Sequence, residues 1–303
     1  APGFGFGRGR VFLYRGDPLR ALGAPIEIDG PAFASFGGTG VAAAGDVNGD
    51  GYADLWVGSS NAGFDLTTDT SGFAQEKSGR VYLVSGPIES DLSLKDMEFS
   101  LGGSDVDVDT GRNIAGSCDI NGDSTQDLLV SGQTGTESGG AKSGIIYLLY
   151  DDFTLTGEYP IRELADASFV GVGAGASAGT ALTCSDVNGD GYDDIITSSP
   201  AYSDGQGSVD IQFGGKPYGM NHSLFTADWT VLGSRQDHQV GLTLATRFNT
   251  NGDTWGDGRP VLDLLLTTAP FRDRPEALLF EGPFRPGTYD REDATAVFYD
   301  SSN

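Results

Sequence analysis

The chain has 303 residues, and its 43 acidic and 18 basic side chains give a formal net charge of −25. Such an acidic protein lacks the basic surface that a nucleic-acid backbone or an anionic membrane requires, so we expect neither as a partner. It has no apolar run of about 18 residues, so no membrane insertion is expected. The 47 glycines and the short apolar runs favour many brief strands joined by tight turns.

An acidic loop recurs four times along the chain, starting at residues 46, 119, 186 and 249. Oxygen-bearing side chains occupy its first, third, fifth and ninth positions, and glycine between them lets the backbone curl. A hard cation with six or more oxygen ligands needs this arrangement, and the carbonyl at the seventh position can add another oxygen. We therefore predict Ca²⁺ sites. The predicted ligands are Asp46, Asn48, Asp50, Tyr52 and Asp54; Asp119, Asn121, Asp123, Thr125 and Asp127; Asp186, Asn188, Asp190, Tyr192 and Asp194; and Asn249, Asn251, Asp253, Trp255 and Asp257.

The fourth loop is degenerate, because Asn249 replaces the first aspartate and Asp263 competes with Asp257 for the position before the next apolar strand. We therefore predict three calcium sites and leave a fourth open. Sodium or magnesium remains an alternative, whereas zinc is disfavoured because no histidine or cysteine enters a loop. Asp193 is predicted to face solvent. Because the crowded carboxylates repel one another, we expect the metal to be structural.

An EF-hand is the nearest competing motif, and it is disfavoured on two grounds. Its loop needs a glutamate at the twelfth position, where this chain has Val57, Val130 or Thr197. Its flanking segments are helices, whereas the segments here are predicted strands.

Each repeat predicts four antiparallel strands. The first strands, rich in small residues, are 41–45, 113–117, 180–184 and 242–246. The second strands are 55–57, 128–130, 195–196 and 264–266. The third strands are 79–84, 144–149, 207–213 and 276–280. The fourth strands are 97–101, 167–170, 229–232 and 296–299. An initial half-unit has a third strand at 9–14 and a fourth at either 26–28 or 32–35.

Four-stranded units repeating every roughly 65 residues, with small residues innermost, are typical of the blades of an all-β β-propeller, whose core lies in the seams between blades. We predict about four and a half blades in a single propeller segment. The predicted boundaries are 1–38 for the second half of a blade, then 39–103, 104–172, 173–234 and 235–303 for whole blades. We expect the rest of a longer propeller, or another chain, to cover the open edges.

The sequence resembles the FG-GAP repeats of integrin α-subunit propellers and bacterial surface proteins. The resemblance is carried by Phe36-Gly37, the loop at 45–51, the apolar strand after it, and Ala-Pro at 1–2 and 269–270. It implies a seven-bladed propeller and an extracellular, cell-surface or periplasmic location. Residues 110–111 and 178–179 depart from the Phe-Gly pattern, and 131–132 interrupts the Gly-Ala-Pro corner.

We expect a non-enzymatic binding or scaffold module that engages a protein partner, the remaining part of the same propeller, or a glycan. The resemblance places its recognition loops at 61–78, 102–111, 132–143, 171–179 and 233–241. The alternative is a carbohydrate-binding or polysaccharide-cleaving propeller with its site partly outside this chain. Arg235, Asp237 and His238 could bind an acidic or sugar ligand, or act as a base and its electrostatic partner, although a polar surface loop is the simpler interpretation. The sequence has no nucleophile elbow or phosphate-binding loop.

The two cysteines, Cys118 and Cys184, precede acidic loops in equivalent strands of neighbouring repeats. Their offsets from the loops differ by one residue, which in regular strands points the side chains to opposite faces. We therefore expect two buried free thiols, with a disulfide as the alternative.

Overall fold

The computed structural model describes residues 7–16, 23–31, 35–63, 78–103, 109–132, 142–150, 153, 156–269 and 276–299. The strands are β1 Arg10–Leu13, β2 Ile26–Asp29, β3 Gly37–Gly45, β4 Asp54–Ser59, β5 Arg80–Val84, β6 Leu92–Ser93, β7 Phe99–Gly102, β8 Ile114–Cys118, β9 Asp127–Gly132, β10 Ile145–Leu149, β11 Gly157–Pro160, β12 Ala167–Val170, β13 Leu182–Ser185, β14 Asp194–Ser199, β15 Ser208–Gln212, β16 His222–Ser223, β17 Trp229–Leu232, β18 Leu244–Phe248, β19 Asp263–Thr267, β20 Glu276–Phe280, β21 Gly287–Asp290 and β22 Ala296–Tyr299. Short helical turns lie at Leu94–Asp96, Ile161–Leu164, Tyr202–Gly205, Leu224–Thr226 and Arg291–Asp293. In the described ranges no helix is long and apolar enough to cross a membrane.

The strands form four antiparallel, four-stranded blades. Blade I is β3-β4-β5-β7, blade II is β8-β9-β10-β12, blade III is β13-β14-β15-β17 and blade IV is β18-β19-β20-β22. The pair β1-β2 is the preceding half-blade, and β2 at Ile26–Asp29 decides between the two predicted positions for its outer strand. The predicted all-β propeller of about four and a half blades is confirmed.

A glycine precedes most of the third strands because neighbouring blades meet there backbone to backbone. Gly79 and Gly144 have φ angles of 84° and 83°, which side-chain-bearing residues rarely adopt. A Cβ added to either would lie 2.3 Å from a backbone oxygen of the next blade, Thr110 or Ala178 respectively. Gly207 repeats the arrangement. These contacts explain the glycine before the third strand in blades I, II and III.

One further strand, which was not predicted, joins the half-blade and each of blades I, II and III. It is a short segment of the following blade that pairs in parallel with the outer strand of the blade before it. The pairs are β6 on β2, β11 on β7, β16 on β12 and β21 on β17. These straps are only two to four residues long and do not alternate between polar and apolar residues, so no periodic signal marks them. They hydrogen-bond consecutive blades to one another.

The hydrophobic core lies in the seams between blades, as predicted. Between blades I and II, Trp56 contacts Phe153 and Phe99 edge to face, with ring centroids 4.9 and 6.2 Å apart. Between blades III and IV, Trp229 packs against Phe280 in the same way at 5.5 Å. Such aromatic pairs add to the stabilisation that burial provides. The blades therefore depend on their neighbours for stability.

A disulfide joins Cys118 in β8 to Cys184 in β13, so the expectation of two free thiols is wrong. The reason is a bulge in β8 between Ala115 and Cys118, where Ser117 has a φ angle of 55°. The bulge absorbs the one-residue difference in offset and turns Cys118 towards the neighbouring blade. The two Cα atoms lie 5.9 Å apart, within the range that a disulfide spans. The bond links the inner strands of blades II and III.

Candidate metal centre

The acidic loops connect the first and second strands of the blades. Each of the first three loops has the same internal pattern of hydrogen bonds. In the first loop, Asp46 Oδ2 accepts from the amide of Gly51 at 2.8 Å. Asn48 Oδ1 accepts from the amide of Asp50, and Asp50 Oδ1 accepts from the amide of Tyr52, both at 2.9 Å. The second and third loops repeat this pattern at equivalent positions. The side chains of the first, third and fifth positions therefore curl over their own loop.

The ninth-position aspartates are buried at the start of the second strands. Asp54, Asp127 and Asp194 are at most 1% exposed. Each accepts a hydrogen bond from the amide of the second loop residue. Burial raises the pKa of Asp127 to about 7 and that of Asp194 to about 8, and the aspartates at the first and fifth positions push them in the same direction. Burial also raises the pKa of Asp54. These carboxylates lie where a positive charge would be stabilised.

The donor set fits a hard cation. All of its side-chain donors are oxygens, and Asp127 Oδ1 is buried with no hydrogen-bond partner among the described residues. In the other two loops the corresponding oxygens accept from the amides of Gly86 and Gly214. Across the described part of the chain, however, no three acidic, histidine or cysteine side chains converge as a group that could hold a metal ion. The ligand assignments therefore stay predictions.

The fourth loop differs from the others at its ninth position. Asp263, the first residue of β19, is fully buried and accepts from the amide of Thr250 at 2.6 Å. This is the role that Asp54 has in the first loop. Asp257 instead binds Arg259, whose guanidinium lowers the pKa of the Asp257 carboxyl. The extra residues before β19 displace Asp257 from the strand. Asp263 therefore occupies the buried position at the start of the second strand that the ninth-position aspartates occupy in the other loops.

Arg259 also reaches the third loop, which the sequence did not indicate. Its Nη1 lies 2.8 Å from Asp186 Oδ2, and its Nη2 lies 3.4 Å from the carbonyl oxygen of Gly189. A fixed positive charge therefore sits beside the first-position carboxylate of a predicted calcium loop. The indole of Trp255 covers Gly189, since a Cβ added there would lie 2.3 Å from the ring. Loops three and four are thus packed together.

Asp193, predicted to face solvent, is half-buried and connects the third loop to the second. Its Oδ2 accepts from the amide of Asp119 at 3.1 Å, and its own amide donates to the Asp119 carbonyl at 2.9 Å. Burial raises the pKa of Asp193. Its role in the described structure is therefore to join neighbouring loops.

His238, predicted to belong to a polar surface loop, is fully buried. Its Nδ1 accepts from the amide of Ser234 at 3.1 Å, and its Nε2 lies 3.6 Å from Glu276, which also binds Arg291. Burial lowers the pKa of His238. The neighbouring Asp237 is exposed, so the structure does not bring the two together as one open site.

Of the predicted recognition loops, 171–179 and 233–241 are wholly described. Residues 64–77, 104–108 and 133–141 of the other three loops lie outside the described ranges. The Ala-Pro pair at 1–2 and Pro270, which contribute to the family resemblance, also lie outside them.

A family model for the FG-GAP repeat matches residues 37–84 and 178–211. The first match covers β3, β4 and β5 of blade I, and the second covers β13, β14 and most of β15 in blade III. Both include an acidic loop and the strands on either side of it. The chain therefore contains FG-GAP repeats in these two regions. No curated protein matches the chain.

Proposed function

We propose that this protein is a calcium-stabilised extracellular module that binds a protein partner and has no catalytic role. FG-GAP repeats occur in extracellular integrin-like binding modules. The observation that carries the proposal is the buried carboxylate repeated at the start of β4, β9 and β14. It is clearest at Asp127, whose Oδ1 has no hydrogen-bond partner among the residues that the structure describes. The Cys118–Cys184 disulfide supports an oxidising compartment.

Asp127, Asp119 and Asp123 would hold the ion in the second loop, with Asn121 and the carbonyl of Thr125. Bound calcium supplies positive charge that offsets the repulsion among the carboxylates. The amide of Ile120 donates a hydrogen bond to Asp127 Oδ2 at 2.7 Å and so fixes this carboxylate in the loop. The position of the carboxylate would in turn determine where the calcium ion binds. A rigid hairpin end then holds β8 and β9 in register and supports the loops at the other end of the blade. These outer loops are where we place the partner.

Calorimetric titration of calcium into the dialysed protein and into Asp127→Asn tests the proposal. We expect the variant to lose one calcium equivalent, while Asp237→Asn, a matched change at an exposed site, binds as the unmodified protein does. Equal calcium binding by Asp127→Asn and the unmodified protein would contradict the metal assignment. Circular dichroism of each variant establishes that the fold is retained.

A further inference from the structure

A cleft between blades II and III contains a buried carboxylate that the acidic loops do not use. Its free volume is about 100 Å³, several times the roughly 10–15 Å³ that one water molecule needs. Asp210, in the middle of β15, lines it together with Ser208 and Thr230. Asp210 is 5% exposed. The cleft is therefore large enough for a small group and has one acidic residue in its wall.

The Asp210 carboxylate has hydroxyl partners and no basic one among the described residues that line the cleft. The Ser208 hydroxyl donates to Oδ2 and the Thr230 hydroxyl donates to Oδ1, each at 2.8 Å. One hydrogen bond at each oxygen leaves room for another donor. Burial raises the pKa of Asp210 to about 6, so the group is ionised at pH 7.4. A buried charge with no opposite charge beside it is costly, and a cationic ligand would relieve that cost.

The rest of the lining determines which cation fits. Val172, Leu224 and Leu232 provide an apolar wall, and Phe225, 77% exposed, lies at the rim. An alkyl chain can pack along such a wall while its terminal ammonium donates three hydrogen bonds to oxygens. A neutral sugar could also use the hydroxyls, but it would leave the carboxylate charge without compensation. The net charge of −25 further favours cations near the surface.

We propose that the cleft around Asp210 binds a primary alkylammonium group, supplied by a lysine side chain of a partner or by a free alkylamine. The ammonium contacts Asp210, Ser208 and Thr230, and the alkyl chain packs against Leu224 and Leu232. This site goes beyond the proposed function and does not depend on calcium binding by the acidic loops.

The test is a chemical-shift titration of the isotope-labelled protein at pH 7.5 in calcium-containing buffer. The probes are the peptide acetyl-Gly-Lys-Gly-amide, the same peptide with norleucine in place of lysine, n-butylamine and glucose. We expect the lysine peptide to bind about tenfold or more tightly than the norleucine peptide, because the latter lacks the charge. Binding of butylamine as well supports either source of the ammonium, whereas binding of the lysine peptide alone assigns it to a protein partner.

Asp210→Asn should weaken binding of the lysine peptide about tenfold or more, whereas Asp96→Asn, which changes an exposed carboxylate in another blade, should leave it unchanged. Phe225→Ala changes the exposed rim and leaves the carboxylate in place, so it should weaken binding of the lysine peptide relative to the unmodified protein, and this result does not depend on whether Asp210→Asn folds. Equal affinity for the lysine and norleucine peptides would overturn the proposal. So would binding of glucose without either amine, or full affinity in Asp210→Asn.

Discussion

The Cys118–Cys184 disulfide gives a stability prediction whose magnitude follows from the chain. The perturbation is the double variant Cys118→Ala/Cys184→Ala, which keeps small apolar side chains in both strands. The bond spans 66 residues of sequence, and a loop of that size corresponds to about 4 kcal/mol of chain entropy in the unfolded state. Unfolding entropy is about 2.1 cal/mol/K per residue, so over the whole chain this loss lowers the melting temperature by about 6 °C.

Differential scanning calorimetry of the variant and the unmodified protein, both with saturating calcium, measures the shift. The unmodified protein in a thiol reductant is the second arm and should approach the melting temperature of the variant. Mass spectrometry after alkylation under native and reduced conditions counts the free thiols. A melting temperature within 1 °C of the unmodified value, together with two alkylated cysteines in the native protein, would refute the link between blades II and III.

Three further predictions concern single positions. Burial raises the pKa of Asp210 from 3.8 to about 6 in the folded protein, so the free energy of unfolding falls as the pH rises between these two values. We therefore expect Asp210→Asn to be more stable than the unmodified protein by on the order of 3 kcal/mol at pH 8, and about equally stable at pH 3, in urea unfolding. Gly144→Ala, whose Cβ would lie 2.3 Å from a backbone oxygen of the next blade, should cost more in the same assay than Gly173→Ala, which has a similar φ and open space; equal losses would contradict the seam contact. Arg259→Gln frees Asp186 and should raise calcium affinity a few-fold in calorimetry, as expected for an exposed ion pair; unchanged affinity in this variant would show that Arg259 does not compete.

The sequence contained enough information for the blades because each hairpin is marked by an acidic loop, and the third strands of blades I, II and III are each preceded by a glycine. Those signals are local, and they located β4, β9, β14 and β19 with their loops. The fold features that were missed depend on contacts between blades. The bulge at Ser117 that brings Cys118 to Cys184 cannot be read from offsets that assume regular strands. The parallel straps have too few residues to show a period.

The positions of the acidic loops were predictable in the same way, whereas their metal ligands stay predictions. The first three loops have the local hydrogen-bond network that their Asp-x-Asn-x-Asp pattern suggests. In the fourth loop the extra residues shift the strand start to Asp263, and only the structure shows which aspartate is buried there. Arg259 beside Asp186 and the burial of His238 are tertiary contacts with no sequence signal. Sequence patterns therefore located the acidic loops, and the packing between blades determined which charges meet.

Calcium content, measured together with thermal stability, tests the central claim most directly. The protein is dialysed against micromolar calcium, its bound metal is counted by elemental analysis, and its melting temperature is recorded before and after addition of excess chelator. The account predicts three or four calcium ions per chain and a clear fall in melting temperature on chelation. A protein that contains no calcium and melts at the same temperature in chelator would contradict it.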